Sequence, residues 1–226
     1  MNKIHTLADR IGITLTPMQE TVADRLLHTD RNVVVLSPTG SGKTFAYLLP
    51  LVAMIDATRQ EVQAVVVVPG RELALQSQQV LESMRTGLRS MAVYGGRPTM
   101  EEHFGTPGRL NDHIDKGNLE AETVGMLVID EYDKCLEMGF QAEMSRLVAS
   151  LPAVRRKVLL SATRAEEVPA FMRNALKGAP EVVDFLPDDE VVSDRVLINK
   201  VRSEERDKLP ALLQLLCQLG EGKTVV

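Results

Sequence analysis

Two short segments carry the residue types and spacing for phosphate chemistry. The first is Ser37-Pro-Thr-Gly-Ser-Gly-Lys-Thr44, placed between the run VVVL and the apolar stretch FAYLLPLVAMI. Gly40 and Gly42 permit a tight turn in which successive backbone N–H groups point inward at an anion. The helix that follows adds partial positive charge at its start. Thr39, Gly40, Ser41, Gly42, Lys43 and Thr44 would form the cradle. Lys43 supplies a full charge for β- and γ-phosphates, and the Thr44 hydroxyl can ligate Mg²⁺. The usual pattern begins with Gly, and here that place is Ser37. The second segment, Asp130-Glu131-Tyr132-Asp133, ends an apolar run. A carboxylate at the end of a buried strand sits at the ligand edge of a sheet. Asp130 can hold Mg²⁺ through water, and Glu131 can position or deprotonate an attacking water. Lys43, Asp130 and Glu131 are the catalytic candidates.

These segments need a scaffold that brings them together. Short β-branched runs over residues 33–36, 64–68, 91–94, 125–129, 157–160 and 181–185 alternate with helical patterns over 17–28, 43–57, 71–86, 141–150 and 166–176. The runs are continuously apolar, as in strands covered on both faces. The expectation is an α/β fold with a mostly parallel sheet, helices on both faces, and the loops after the strands gathered along one ligand-binding edge. The acidic stretch LPDDEVVSD, residues 186–194, reads as a linker. Beyond it, residues 196–201, 207–219 and 224–226 read as a strand, a helix and the start of another strand, too little to bury a core. The expected organisation is one domain over residues 1–187, a linker over 188–194, and the beginning of a truncated second domain over 195–226.

The chain has 226 residues and a net charge of −5, so broad electrostatic coating of nucleic acid is disfavoured and any such contact should be local. With no Trp, the core must come mainly from Val, Leu, Ile, Ala and Met. Cys135 and Cys217 lie far apart without metal-ligand spacing and read as reduced thiols of a cytosolic, cytoplasmic protein. No apolar run approaches the roughly 20 residues that span a bilayer, and the N-terminus carries no apolar signal segment. His5, His28, His103 and His113 read as surface or structural, Met138 and Met144 as core, and Arg155-Arg156-Lys157 as a solvated turn.

Seven segments lie in a recognisable order: Thr16-Pro17-Met18-Gln19, the phosphate loop, Pro69-Gly-Arg-Glu-Leu-Ala-Leu-Gln76, Gly95-Gly96, Thr106-Pro-Gly-Arg-Leu110, Asp130-Glu-Tyr-Asp133 and Ser161-Ala-Thr163. Together they resemble the DEAD-box family of RNA helicases. The resemblance implies a RecA-like domain that uses ATP and Mg²⁺, with hydrolysis coupled to local RNA duplex opening or RNP remodelling. It implies that Gln19 reads the adenine edge. Pro69, Gly70, Arg71, Glu72, Gly95, Gly96, Thr106, Pro107, Gly108 and Arg109 would line an RNA path along sugar and phosphate, which carries little base information. Ser161, Ala162 and Thr163 would link the ATP site to closure against a second RecA-like domain, with Asp133 paired to them.

The sequence also departs from that pattern. Tyr132 stands where the family has Ala and adds bulk near the Ser-Ala-Thr contact. Gly70 stands where the family has Thr, removing a hydroxyl from the RNA path. No Phe, Tyr or Trp precedes Phe45, so the family's adenine-stacking aromatic is missing or supplied elsewhere. Only RPTMEEHFG separates Gly96 from Thr106, too little for both a helix and a strand. Either the segment is deleted or a flexible piece is absent near His103 and Phe104; the second is preferred, because losing an interior strand would damage the sheet. Two other readings stand beside the helicase. One is a nucleotide-gated RNA clamp or scaffold with little turnover, against which Lys43, Asp130 and Glu131 argue. The other is a DNA translocase of the same superfamily, against which Gln19 and the Thr106 segment argue.

Overall fold

The computed structural model describes residues 2–90, 92–93, 104–164, 179–187 and 208–219. The chain divides into two compact units, Met1–Leu186 and Pro187–Val226. In the first unit the order is α1 (Asn2–Arg10), α2 (Pro17–His28), β1 (Val33–Leu36), α3 (Lys43–Met54), β2 (Ala64–Val67), α4 (Arg71–Ser83), β3 (Ala92–Val93), β4 (Phe104–Gly105), α5 (Pro107–Asp115), β5 (Met126–Ile129), α6 (Tyr132–Glu137), α7 (Gln141–Ala149), β6 (Arg156–Ser161) and β7 (Glu181–Asp184). The described element of the second unit is α8 (Leu209–Leu219).

The strands form one seven-stranded sheet in the order β3-β4-β2-β5-β6-β1-β7, and every described pairing is parallel. Parallel strands require crossovers, and crossovers cover both faces. The side chains therefore alternate between two apolar layers. Val33 and Val35 of β1, Val66 of β2, Val128 of β5 and Leu160 of β6 pack on the side of α1 to α4. Val34, Val65, Val67, Leu127, Ile129 and Leu159 pack on the side of α5, α6 and α7. That double burial explains why the strands read as unbroken apolar runs.

The registers fix what lies along the C-terminal edge. Leu36 of β1 lies beside Ser161 of β6, Leu159 of β6 beside Ile129 of β5, and Val67 of β2 beside both Ile129 and Gly105. Three further hydrogen bonds extend these ladders: Ser37 N to Ser161 O at 3.0 Å, Asp130 N to Val67 O at 2.9 Å, and Val68 N to Gly105 O at 3.0 Å. Each motif segment thus leaves the sheet next to another.

Several expectations change in detail. The short interval before Thr106 still supplies its strand, because Phe104 and Gly105 themselves pair with β2 and β3. Residues 94–103, including Gly95 and Gly96, and the helix expected over 166–176 lie outside the described residues. So do residues 188–194 of the expected linker. The short helices α1, α5 and α6 add to the helices that the sequence pattern predicts. Met144 is core, but Met138 is 57% exposed, since it follows α6 on an open turn. Arg156 is no solvated side chain: it donates to Leu26 O at 2.6 Å and pairs with Asp30 at 3.0 Å, tying the start of β6 to the end of α2.

Gly105 shows how tightly β4 is built in. A Cβ there would lie 3.0 Å from Val93 Cβ, 3.0 Å from Val93 O and 3.1 Å from Leu110 Cγ. A backbone oxygen cannot move aside cheaply inside a sheet. Gly105→Val is expected to destabilise the protein by about 1–3 kcal/mol through overpacking. Urea unfolding measures this, and an unchanged midpoint would mean that β4 does not hold this register.

Candidate active site

The site is built on the adjacent ends of β1, β6 and β5. The phosphate loop leaves β1 at Ser37 and enters α3 through Gly42, which has a left-handed φ of 84°. A Cβ on Gly42 would lie 2.4 Å from Gln19 Nε2, so glycine is required here by conformation and by space. Gly42 offers no side-chain cap to α3, which leaves the first N–H groups of that helix available to an anion.

Lys43 is buried, and its Nζ donates to Ser37 O at 2.8 Å and Pro38 O at 2.9 Å. An ammonium has a third donor to give. Burial lowers its pKa from the ordinary lysine value, opposed by the charges of Asp130, Glu131 and Asp133. Asp130 is 7% exposed. Burial and the neighbouring Glu131 charge push its carboxyl up to about 6, against the stabilising influence of Lys43, the Glu131 N–H and the Tyr47 phenol. The Glu131 N–H donates to Asp130 Oδ1 at 3.0 Å. Glu131 itself sits at φ 49° and ψ 49°, a left-handed conformation that costs a non-glycine residue about 1–2 kcal/mol. The strain turns the chain sharply between β5 and α6 and leaves Glu131 beside Asp130 at the sheet edge.

These residues fit a phosphate chain with a divalent cation. Ser41 Oγ is buried without a hydrogen-bond partner inside the loop. Lys43 is held by carbonyl oxygens of its own loop, and a buried carboxylate with a raised pKa calls for a cation beside it.

Gln19 lies against the loop. It closes a capping box with Thr16, receiving at Oε1 from Thr16 N at 2.9 Å, and its Nε2 donates to Gly42 O at 3.1 Å. Each end of the carboxamide retains capacity for one more hydrogen bond. On the other flank, Asp133 Oδ2 accepts from Thr163 Oγ1 at 2.9 Å and from Ala162 N at 3.3 Å. Ser161 Oγ donates to Thr163 O at 2.7 Å, while Ser161 O receives the Ser37 N–H of the phosphate loop. The Ser-Ala-Thr segment is therefore joined both to the acidic turn and to the loop. Tyr132 is buried, which raises its pKa.

A second stretch of the same edge follows β2 and β4. Pro69 is buried, whereas Arg71 and Glu72 are exposed at the start of α4. α4 and α5 both begin without a side-chain cap hydrogen bond, at Gly70 and Thr106. Neighbouring uncapped helix starts favour phosphate oxygens. Arg109 is turned back onto its own helix, bonded to Asp112 and facing His113 Nε2 at 3.2 Å.

Two residues near the site carry no motif. Tyr47 lies four positions after Lys43 on α3, the spacing that puts two side chains on one helix face. Ser77, its hydroxyl partner on α4, has no local signal at all.

Because the Asp130 carboxyl is held above its ordinary value of 3.8, ionising it costs folding free energy. That cost is absent below pH 4 and complete above pH 6. Asp130→Asn is therefore expected to stabilise the nucleotide-free protein at pH 8, by roughly 1–3 kcal/mol, and to lose this advantage as pH falls toward 4. Denaturant titrations across that range measure it, and a pH-independent difference would contradict the assigned environment.

Comparison with known proteins places this geometry. The DEAD/DEAH box helicase family model matches residues 16–171. DEAD-box ATP-dependent RNA helicase 49 of Arabidopsis thaliana is 33% identical over 241 residues, covering 96% of this chain and 43% of that protein. ATP-dependent RNA helicase CshA of Limosilactobacillus reuteri is 31% identical over 223 residues, covering 93% of this chain and 44% of that protein. The chain thus spans less than half the length of these relatives. The crystal structure of a DEAD box protein from Methanococcus jannaschii superposes with a TM-score of 0.73 at 27% identity, covering 81% of this chain and 53% of that one. A hypothetical ATP-dependent RNA helicase from Sulfolobus tokodaii gives a TM-score of 0.70 at 28% identity, covering 80% and 56%. The family match spans most of the chain and contains Gln19, the phosphate loop, Asp130 to Asp133 and the Ser-Ala-Thr segment. This chain belongs to the DEAD/DEAH box helicase family.

Proposed function

We propose that this chain is the nucleotide-binding RecA-like half of an ATP-driven RNA helicase, with Mg²⁺ as its metal and a second RecA-like domain completing the motor. The observation that carries this reading is the convergence of Lys43, Asp130 and Glu131 at the C-terminal ends of β1 and β5, the two strands that flank β6. Lys43 exchanges its loop carbonyls for phosphate oxygens. Thr44 and Asp130 would hold the Mg²⁺, which would supply charge neutralisation at the phosphates. Glu131 takes the proton of the attacking water, its carboxylate offered from a strained turn. Bound ATP with Mg²⁺ supplies the phosphoanhydride whose cleavage drives the cycle. Gln19 spends its remaining hydrogen-bonding capacity on the adenine edge, which gives a preference for ATP that the loop alone cannot give.

Arg71 and the uncapped starts of α4 and α5 receive RNA phosphates, with Pro69, Gly70, Glu72, Thr106, Pro107 and Gly108 shaping the path. Arg109 joins them by releasing Asp112. Contacts of this kind are sequence-tolerant. Asp133 and the Ser-Ala-Thr segment carry the state of the nucleotide toward domain closure. Residues 195–226 begin the second domain; on α8, Leu209 and Leu213 are exposed, which fits a helix whose packing partners belong to a further layer. The free thiols Cys135 and Cys217 suit a reducing cytoplasm. Intact Lys43, Asp130 and Glu131 in one site favour turnover over a binding-only clamp.

Glu131→Gln is expected to keep Mg·ATP binding within about threefold while lowering turnover by about 10²-fold or more, since the amide keeps the shape and loses the basicity. Equilibrium binding and RNA-stimulated phosphate release separate the two; equal losses in both would make Glu131 structural. The 226-residue chain is expected to bind nucleotide but hydrolyse it slowly and separate no strands. A longer chain carrying the second domain should gain on the order of 10³–10⁵ in rate if that domain supplies an arginine to the transition state. Duplex separation by the 226-residue chain alone would overturn the two-domain mechanism.

A further inference from the structure

His113 lies outside the motif segments, yet it touches a side chain that belongs to one of them. It sits on α5 and is 3% exposed. Its Nε2 is 3.2 Å from Nη2 of Arg109, one helical turn earlier. A guanidinium can only donate, so Nε2 accepts and carries no proton. The other ring nitrogen, Nδ1, faces the Asn118 carboxamide at 3.3 Å, past the end of the helix. Arg109 has a second partner, the Asp112 carboxylate, bonded to Nη1. Asp112 is itself shared, since Lys116 Nζ lies 2.9 Å from its carboxylate. The Lys116 hydrogen bond is the first cause that keeps the Asp112 carboxyl below its ordinary value. Four side chains of α5 and its C-cap thus form a chain of contacts, Lys116 to Asp112 to Arg109 to His113, at spacings of three and four residues.

We propose that His113 is a positioning residue for Arg109, holding its guanidinium while an RNA phosphate takes the place of Asp112. The inference rests on the reading of Arg109 as a phosphate contact in the RNA path. The contacts suit such an exchange. The Arg109–Asp112 bond is the middle link of the chain, and each partner has a second hold. When phosphate oxygens displace the carboxylate, Asp112 keeps Lys116 and Arg109 keeps His113, so neither charge is left unpaired. An arginine held by Asp112 alone would regain its side-chain freedom on release, and ordering it again on the phosphate costs binding free energy. Location supports the role. Arg109 stands in the first turn of α5, whose start has no side-chain cap, and its side chain is 28% exposed beside the buried ring. The acceptor is inside, and the group it holds is still open to a ligand. Only the neutral imidazole can accept. Burial lowers the His113 pKa and the Arg109 charge lowers it further, so the ring is neutral at pH 7. The charges that bear on it, Arg109, Asp112 and Lys116, all come from α5 and its cap. α7, which packs on α5, directs Arg146 to Asp115 instead.

The test uses the 226-residue chain and a labelled single-stranded oligouridylate, with affinity read by fluorescence anisotropy over a series of salt concentrations at pH 8. Arg109→Gln is expected to lower affinity about tenfold and to reduce the slope of log affinity against log salt by about 0.7, the loss of one phosphate contact. His113→Phe keeps the bulk of the ring and loses the acceptor. It is expected to lower affinity about threefold, and to change nothing further once Arg109→Gln is present. His113→Gln, whose side-chain oxygen can accept from the same guanidinium, is expected to recover most of that loss. An equal loss from His113→Phe with and without Arg109, or one that His113→Gln fails to recover, would make His113 merely structural and overturn the proposal. An unchanged affinity in His113→Phe would overturn it too. The RNA-free protein separates the proposal from the reading beneath it. Followed by NMR, the His113 ring is expected to titrate closer to the ordinary 6.5 in Arg109→Gln than in the parent, because a neighbouring positive charge is gone. An unmoved midpoint overturns the positioning role whatever the RNA result. A moved midpoint, together with unchanged RNA affinity in Arg109→Gln, upholds the contact and overturns Arg109 as a phosphate contact.

Discussion

The ladder in which β6 lies between β1 and β5 carries the rest of the site. Those three strands are far apart in the chain, and only their parallel pairing puts Ser37, Ser161 and Asp130 side by side. A parallel pair cannot be closed by a hairpin, so each strand must be followed by a crossover, and the crossovers all leave from the same edge. The Ser37 N–H to Ser161 O bond is the last rung of that ladder and also the point where the phosphate loop is tied to the Ser-Ala-Thr segment. Fold and site share one hydrogen bond.

On this scaffold the electrostatics is unbalanced by design of the sequence. Two carboxylates, Asp130 and Glu131, are adjacent at the end of a buried strand, and Asp130 is nearly inaccessible. Lys43 is near enough to temper their charge but spends two donors on carbonyls of its own loop. The folded protein therefore holds an acid that ionises reluctantly and a base whose best partners are still to come. A polyphosphate with a divalent cation, the ligand proposed for this site, would relieve both at once.

Family membership sets the frame, and this chain fills it with its own residues. Tyr132, where the family has Ala, is buried beside the acidic turn, so the bulk added at this position is absorbed into the core. Asp133 accepts from Thr163 and from Ala162, leaving Oδ1 buried and without a partner. The Ser-Ala-Thr segment is thus held from two sides while one Asp133 acceptor stays unmet. Gly105, hemmed in by Val93 and Leu110, lets a strand of two residues fit where the interval before Thr106 is short.

The phosphate loop, the acidic strand end and the strands themselves were legible in the sequence, because each depends on local rules. Glycines at the turn, a lysine at a helix start, and apolar runs of strand length state their conformations within a few residues. The helices α1, α5 and α6 were not legible, since each runs for only six to nine residues and offers too few turns to establish a period. The register that sets Leu36 beside Ser161, the left-handed turn at Glu131, and the engagement of Gln19 with Gly42 O join residues from separate parts of the chain or arise from strain that the whole fold sustains. The same holds for Tyr47, whose hydroxyl meets Ser77 of another helix. The sequence determined which groups do chemistry, because that is a property of side chains and nearest neighbours. Only the tertiary structure decided which of them touch, because contact between distant residues is set by how the sheet is ordered.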